Sequence, residues 1–570
     1  MGGFWCKRTI CSAILLGMPN WGTREMSLFS LMCTSTITRT WSALYTALIK
    51  KYIRLIGSSI LASLSITAAG GLDQPVQLVS GKVAGTTLDS GVQSFLGIPF
   101  AAAPTGDLRW KPPEPPIPWS GVRIVDRKGP NCLQSRGRSL MSEDCLYLDV
   151  WTKAETTSDK LPVMVWIHGG GWAMKATYDG DVFASHGVIL VAVNYRMGAF
   201  GWMAHPALSA ESPYGISGNY GILDHIAALE WVQENIESFG GDKNNVTIFG
   251  ESAGGGSVYA LLATPRSGGL FHKAIAQSTW INTTNVSNLK SHNGFMQSAE
   301  KRGVAAIEKH FAGTDQSETD ISEVMRSLSG KEVLELDHQV ALIVDGWLFE
   351  QAPIDTFKEG KQHRVPVISG YNDGEGLGYS RRNIPDSVMQ QRERRLRQLG
   401  DLGDSLAELY IAKNKSDVRD VEVDYTSDDM FVRASREIAQ AAVRSGQDSY
   451  LYVFGRNANQ PEERAPHYAE VKYVFNKLKS DALPEDQDLA KSMIGYWTTF
   501  ARTGSPNHDG LVPWPKYDLK SQNYQFLDTS ISQGSRDRRT RLDAMDSYVR
   551  SRYATKRPPG VSWPIENLTE

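Results

Sequence analysis

Apolar residues along this chain fall into short runs separated by glycine- and proline-rich turns. Pro162-Val163-Met164-Val165-Trp166-Ile167 and Val188-Ile189-Leu190-Val191-Ala192-Val193 are unbroken, as strands covered on both faces should be. Cys145 to Trp151 alternates instead, which predicts a half-buried strand. Ile222, Ile226, Leu229, Val232 and Ile236 recur at helical spacing. Then come Asn245-Val246-Thr247-Ile248-Phe249, β-branched and apolar, a turn, and a helix-like stretch from Gly255 to Ala263 that Pro265 stops. Strand, helix, strand, turn, helix is a βαβ rhythm. It predicts an α/β protein with a large central, mostly parallel sheet flanked by helices.

Around that centre, Gln77–Val79 with Gly81–Gly85 predicts a first hairpin, and Phe95–Phe100 a strand running into a proline-rich loop. Ala274–Ala276 and Val365–Ile368 predict later strands, and Tyr450–Phe454 is the last clear core strand. Two charged, largely helical insertions interrupt the series, over roughly 285–355 and 385–445. No linker breaks the alternation, so 70–570 reads as a single domain.

Composition agrees with a large core: 570 residues, 41% of them apolar. A net charge of −3 without a polybasic block argues against nucleic acid or an anionic membrane as partner. The first 69 residues differ. Lys50, Lys51 and Arg54 precede a serine-laden apolar run, Leu55 to Ile66, and then Thr67-Ala68-Ala69-Gly70. This predicts a secretory signal over 50–69, cleaved after Ala68 or Ala69, because the run is too short for a span of about 20 residues. Residues 1–49 then read as a disordered extension or a mistaken upstream start. The predicted location is secreted or periplasmic, with no stable membrane insertion. Cys132 and Cys145 are the only cysteines beyond the signal, and in an oxidising compartment they are expected to pair. Closing so short a loop is worth about 3 kcal/mol on a chain-entropy model.

The chemistry centres on Gly250-Glu251-Ser252-Ala253-Gly254, set between a predicted strand and a predicted helix. G-x-S-x-G alone is a weak signal; the strand before it and the helix after it make it strong. A serine on so sharp a turn needs small neighbours, and the helix N-terminus favours developing negative charge. Backbone donors for an oxyanion are predicted at Gly170 and Gly171 of His168-Gly169-Gly170-Gly171-Trp172, with the Ala253 N–H as a third. His168 reads as a loop-structuring residue, since the usual chain order is serine, acid, histidine. The acid should follow Val365–Ile368, where Asp373 and Glu375 compete without a decision from composition. Of the histidines after the last core strand, His467 lies on a loop next to it and His508 in an exposed turn, so His467 is the candidate base. No pattern for a metal or a nucleotide cofactor occurs.

The chain resembles the type-B carboxylesterases, the cholinesterase-like branch of the α/β-hydrolases, from about residue 76 to 545. The resemblance rests on Phe95-Leu96-Gly97-Ile98-Pro99-Phe100, Ser142-Glu143-Asp144-Cys145-Leu146-Tyr147-Leu148, His168-Gly169-Gly170-Gly171-Trp172 and Asn194-Tyr195-Arg196. It continues through Phe239-Gly240-Gly241-Asp242, Val246 to Gly254, Gln277-Ser278, Asp373-Gly374-Glu375-Gly376, His467-Tyr468-Ala469-Glu470 and Trp514-Pro515-x-Tyr517. It implies an α/β-hydrolase fold whose helical insertions form a cap, and hydrolysis of a small-molecule carboxylic ester through an acyl-enzyme. It implies Ser252 as nucleophile, Glu375 as acid, His467 as base, Gly170, Gly171 and Ala253 as oxyanion donors, and a Cys132–Cys145 disulfide. The chain departs from the family at Gly374, where Asp commonly precedes the acid; at Thr279, where glycine is usual; and at His225, where glutamine is usual. The Leu133–Asp144 loop is short and lacks the tryptophan that holds choline in cholinesterases. The resemblance therefore points to microbial para-nitrobenzyl-esterase-like enzymes and away from choline esters.

Overall fold

The computed structural model describes residues 71–555 apart from 136–139, 175–177, 283–284, 314–319, 381–383, 401–402 and 536–537. The predicted signal and the preceding extension lie outside the described residues, as do Cys6, Cys11 and Cys33.

Eleven strands form one central sheet. In chain order they are β1 (Thr86–Thr87), β2 (Gln93–Pro99), β3 (Tyr147–Thr152), β4 (Leu161–Ile167), β5 (Ile189–Val193), β6 (Gly241–Glu251), β7 (Lys273–Gln277), β8 (Val367–Asn372), β9 (Ser449–Phe454), β10 (Asn523–Leu527) and β11 (Ser532–Ser535). Across the sheet they run β11-β10-β9-β8-β7-β6-β4-β5-β3-β2-β1. Every pairing from β10 to β5 is parallel, and the pairings outside it, at both edges, are antiparallel. The mostly parallel sheet read from the chain is therefore present, with antiparallel margins.

The unbroken runs have the reason expected of them. Along β4, Val163, Val165 and Ile167 join the core on one face of the sheet, while Met164 and Trp166 join the core on the other. Two helices supply much of that cover. α1 (Tyr220–Asn235) packs Ile222, Ile226, Leu229 and Val232 into the first core. α2 (Ala253–Ala263) is buried along its whole length and has no polar face. On the second face lies the longer helix Pro484–Thr503, with Leu489, Met493, Trp497 and Phe500 inward.

Three expectations are corrected. β3 alternates in sequence but is not half-buried: Leu148 through Thr152 are all buried. Its polar positions meet backbone instead of water. Asp149 accepts the N–H of Gly97 at 2.8 Å where the β2–β3 register slips, and the Thr152 hydroxyl donates to the Phe239 carbonyl at 3.0 Å. β9 is not the last core strand, because β10 pairs parallel to it. The first insertion is largely helical but also holds a two-stranded parallel sheet, Val286–Asn288 with Leu342–Val344. The first hairpin forms as Val76–Leu78 with Gly81–Ala84, leaving Val79 exposed at its turn. Cys132 and Cys145 are joined by a disulfide.

The loop after β5 is tied to α1 by a buried ion pair. Arg196 donates through Nε and Nη2 to both carboxylate oxygens of Asp224, at 2.6 Å for the shortest contact. Asp224 also accepts the Arg196 N–H at 2.9 Å. Removing one partner strands a charge in a dry interior, which typically costs about 3–5 kcal/mol. Asp224→Ala is therefore expected to destabilise the protein by about that amount; a urea or thermal midpoint unchanged from wild type would show that the pair does not anchor α1.

Candidate active site

β6 ends at Glu251 and α2 begins at Ala253, so the chain reverses at Ser252 alone. Ser252 has φ 57° and ψ −118°, a conformation that costs a residue with a side chain about 1–3 kcal/mol. What holds it there is lateral pinning. The Ser252 N–H donates to the Gln277 carbonyl of β7 at 2.9 Å, and its own carbonyl accepts the Trp280 N–H at 3.1 Å. The flanking glycines are sterically required. A Cβ on Gly254 would lie 2.0 Å from the Ile167 carbonyl oxygen, and one on Gly250 2.6 Å from the same atom.

His467 reaches this hydroxyl from the loop after β9. Its Nε2 is 2.9 Å from Ser252 Oγ, and its Nδ1 is 2.5 Å from Glu375 Oε2. Glu375 is fully buried and accepts the Asn372 N–H through its other oxygen at 2.8 Å. The structure thus brings together Ser252, His467 and Glu375. Asp373, the rival carboxylate, points elsewhere: it accepts the Ala465 N–H at 2.6 Å. With the Gly374 N–H on the Ala465 carbonyl at 3.0 Å and the Asn372 amide on the Pro466 carbonyl at 2.9 Å, it clamps the acid loop to the histidine loop. His508 is exposed in a turn, as read from the sequence.

The glycine loop after β4 lies against the serine. A Cβ on Gly169 would stand 3.1 Å from Ser252 Cβ. Gly170 and Gly171 have φ of 108° and 65°, open only to glycine at little cost. Among the described residues their N–H groups donate no hydrogen bond. Ala253 begins α2, where a first-turn N–H has no intrahelical acceptor. His168 is buried, with Nδ1 2.9 Å from the Gly169 carbonyl and its ring stacked on Tyr195. His225 packs edge-on against Tyr195, ring centroids 4.4 Å apart, and burial holds its pKa down to about 3. Thr279 is buried just after β7, its N–H on Ser435 Oγ at 3.3 Å.

Four residues that the sequence reading left unassigned surround the imidazole. Glu251 Oε1 lies 3.2 Å from His467 Nε2. Glu470 accepts the Asn372 amide at 2.7 Å and a longer bond from the Gln277 amide at 3.2 Å. Phe431 stacks on the His467 ring at 4.4 Å, carried by a one-turn π-helical segment, Asp428–Val432. Tyr379 meets the same ring edge-on at 5.7 Å. Both glutamates stand within the quoted motifs, so a signal existed for them. Phe431 has none, because a π turn leaves no mark in hydrophobic spacing.

Burial draws the His467 pKa down, but Glu251, Glu375 and Glu470 outweigh it and push the imidazole up to about 9. Burial raises Glu251 well above the usual carboxylate range and Glu470 up to about 7. The arrangement holds a hydroxyl, an imidazole that in its neutral form can take its proton, a buried carboxylate to steady the resulting cation, and unengaged N–H groups beside them. Among the described residues no group of histidine, cysteine and carboxylate side chains could hold a metal ion.

The sequence profile of the carboxylesterase family matches residues 73–546. A fumonisin B1 esterase of Sphingopyxis macrogoltabida is 34% identical over 494 residues, which cover 82% of this chain and 89% of its own. A pyrethroid hydrolase, Ces2e, of Rattus norvegicus is 36% identical over 483 residues, 77% of this chain and 82% of its own. Among solved structures, carboxylesterase EST55 of Geobacillus stearothermophilus superposes with a TM-score of 0.72 at 30% identity, covering 82% of this chain and 99% of its own. A PNB esterase does so at 0.71 and 32%, with the same coverage.

The carboxylate cluster carries a signed expectation. Anionic neighbours favour the imidazolium, so removing one lowers the histidine pKa. In Glu251→Gln, His467 should titrate at a lower pH than in the wild type, by about one pH unit. Imidazole proton resonances followed against pH measure it, and an unchanged or higher midpoint would rule out Glu251 as the source of the field.

Proposed function

This chain belongs to the carboxylesterase family, and from that premise we propose that it cleaves carboxylic esters through an acyl-enzyme formed on Ser252. Carboxylic-ester hydrolysis is the activity of the family and of the relatives named above. The reading beyond that rests on one observation: an unbroken relay of short contacts, 2.9 Å from Ser252 to His467 and 2.5 Å from His467 to Glu375.

In the first half-reaction His467 Nε2 takes the Ser252 proton as Oγ attacks the ester carbonyl carbon. The carbonyl oxygen becomes an oxyanion facing the N–H groups of Gly170, Gly171 and Ala253. Each such donor is worth about 3 kcal/mol of transition-state stabilisation, since its charge is oriented before the reaction begins. Glu375 fixes the imidazole tautomer and stabilises the imidazolium without taking its proton. The imidazolium then protonates the leaving alcohol and the C–O bond breaks. A water, deprotonated by His467, attacks the acyl carbon and regenerates Ser252 with release of the acid.

The surroundings favour apolar esters. Phe431 and Tyr379 wall the histidine, and Trp172 packs edge-on against Trp280, whose N–H is hydrogen-bonded to the Ser252 carbonyl. We take residues 70–570 as one catalytic domain, exported by the 50–69 signal; amino-terminal sequencing of the exported protein should find a start near Gly70. No helix among the described residues is long and apolar enough to cross a membrane.

Ser252→Ala is expected to keep its thermal midpoint and to lose on the order of 10⁴-fold or more in kcat on a para-nitrophenyl ester. A fluorophosphonate probe should label wild type and not this variant. Turnover near the wild-type rate, or labelling of the variant, would remove Ser252 as nucleophile. Wild type that neither turns over an ester nor takes the probe would mark the chain as a non-catalytic relative.

A further inference from the structure

We propose that Trp280 sets the acyl-chain preference of this enzyme: its indole closes the side of the site that receives the acid half of the ester, so that short acids are taken and long ones refused. The inference rests on the acyl-enzyme reading above and names the substrate class within it. Trp280 stands just beyond the end of β7 and is partly buried, packed against the first core.

The backbone of Trp280 is pinned on both sides. Its N–H donates to the Ser252 carbonyl at 3.1 Å, and its own carbonyl accepts the Asn285 amide at 2.9 Å. Ser278, just before it, has φ 46°, with its N–H on the Gly370 carbonyl at 2.8 Å. A residue with a side chain persists at such an angle only where its surroundings over-determine it. The indole is held as well. It meets Trp172 edge-on, ring centroids 5.3 Å apart. Trp172 is fully buried, stacked on Trp202 at 5.2 Å, and donates through Nε1 to Ser257 Oγ at 3.0 Å. An incoming chain cannot push Trp280 back without displacing Trp172 from those contacts.

The indole borders the room beside Gly171. Among the described residues a Cβ built on Gly171 would meet one atom within 4 Å, Trp280 Cη2 at 4.0 Å. A Cβ on Gly169 would instead strike the Glu251 carbonyl oxygen at 2.6 Å, and one on Gly170 the Met174 carbonyl oxygen at 2.1 Å. Of these three glycines, Gly171 is the one that faces open space, and Trp280 bounds that space.

Proton transfer decides which half of the ester enters it. The leaving alcohol takes its proton from His467 Nε2, so it departs on the imidazole side, where Phe431 and Tyr379 form the wall. The tetrahedral carbon then directs the acyl chain away from that side. Trp280 lies away from it too. Trp280 and Trp172 pack with the first core, whereas Tyr468 and Ala469, which follow His467, pack against the second, across the sheet. The acyl chain therefore runs past Gly171 toward the indole. Each methylene that finds apolar room gains about fourfold in binding; one that meets a fixed ring forfeits that gain and forces a clash.

Para-nitrophenyl acetate, butyrate and octanoate keep the leaving group constant and vary the acid. Wild type is expected to favour acetate and butyrate over octanoate in kcat/KM, and Trp280→Ala to raise the octanoate-to-acetate ratio by about tenfold or more. Across the acetates of methanol, butanol and benzyl alcohol, the same variant should change relative kcat/KM by less than about twofold, because the alcohol lies on the other side. Trp280→Phe, a smaller ring in the same place, should give an intermediate ratio and decides the matter if Trp280→Ala fails to fold. A second readout does not need turnover: N-ethyloctanamide, which keeps the acyl half and resists hydrolysis, is titrated calorimetrically into the full-length protein and should bind about tenfold more tightly, or better, in Trp280→Ala. Wild type that hydrolyses none of these esters would remove the acyl-enzyme reading, and the amide titration would still decide the role of Trp280. Turnover with an unchanged octanoate-to-acetate ratio in both variants, unchanged amide binding, or an equal shift in the alcohol series would overturn that role and leave Ser252 as nucleophile.

Discussion

Between the last residue of β6 and the first of α2 the backbone passes so close to the end of β4 that no side chain fits on either flank. The Ile167 carbonyl oxygen would stand 2.0 Å from a Cβ on Gly254 and 2.6 Å from one on Gly250. That crowding makes the turn narrow, and the narrow turn forces Ser252 to positive φ with its side chain clear of the strand. The same approach brings the glycine loop that follows Ile167 alongside the serine. The Ser252 hydroxyl and the Gly170 and Gly171 backbone are therefore brought together by one steric approach. Strain at Ser252 is tolerable because hydrogen bonds to Gln277 and Trp280 over-determine its position from the neighbouring strand.

The imidazole faces a different problem. It sits among three glutamates whose charges cannot all persist in a dry interior, since burial of adjacent like charges is unfavourable. Burial raises Glu251 and Glu470, while His467 is held toward its charged form. The consequence is division of labour among chemically identical side chains. Glu375, with the Asn372 N–H on one oxygen and His467 on the other, has both oxygens committed, which fits it to orient the ring. Glu470 is committed to amides of Asn372 and Gln277, and supplies field without touching the imidazole nitrogens. Asp373, one residue before Gly374, is a bracket between two loops.

Legibility in the sequence followed the strength of local constraint. Strands β4, β5 and β6 were readable because both faces are buried and every position must be apolar or β-branched. β10, Asn523-Tyr524-Gln525-Phe526-Leu527, was missed because it carries polar residues, one of them Gln525, fully buried in a polar contact with Tyr496. β3 was found, but its exposure was misjudged: alternation reports which face is polar, and a polar face can be satisfied by backbone. Ser252 and His467 were reachable from motif and order. Glu375 was not separable from Asp373 on residues alone, because the choice depends on which carboxylate the loop turns inward.

The sheet and the insertions contribute different parts of the site. The Ser252, His467 and Glu375 geometry depends on β6, α2 and the ends of β4, β8 and β9, all held within the double-sided core. The aromatic ring stacked on His467 comes instead from the second insertion, through a π turn that widens the helix by one residue and so advances Phe431 toward the ring. A π turn has a cost in hydrogen-bond geometry, and this one is bracketed by buried Asp428, which accepts from Tyr410 at 2.6 Å and from Arg538 at 2.9 Å. Arg433 follows that turn directly. The register shift that delivers an aromatic wall to His467 is thus immediately followed by Arg433, a buried arginine whose charge Glu437, Asp546 and Asp429 balance through space. Any sequence change in the insertion that relaxed the π turn into regular helix would rotate the residues after it by about 100° per deleted position relative to those before it, moving the wall and the buried cation together.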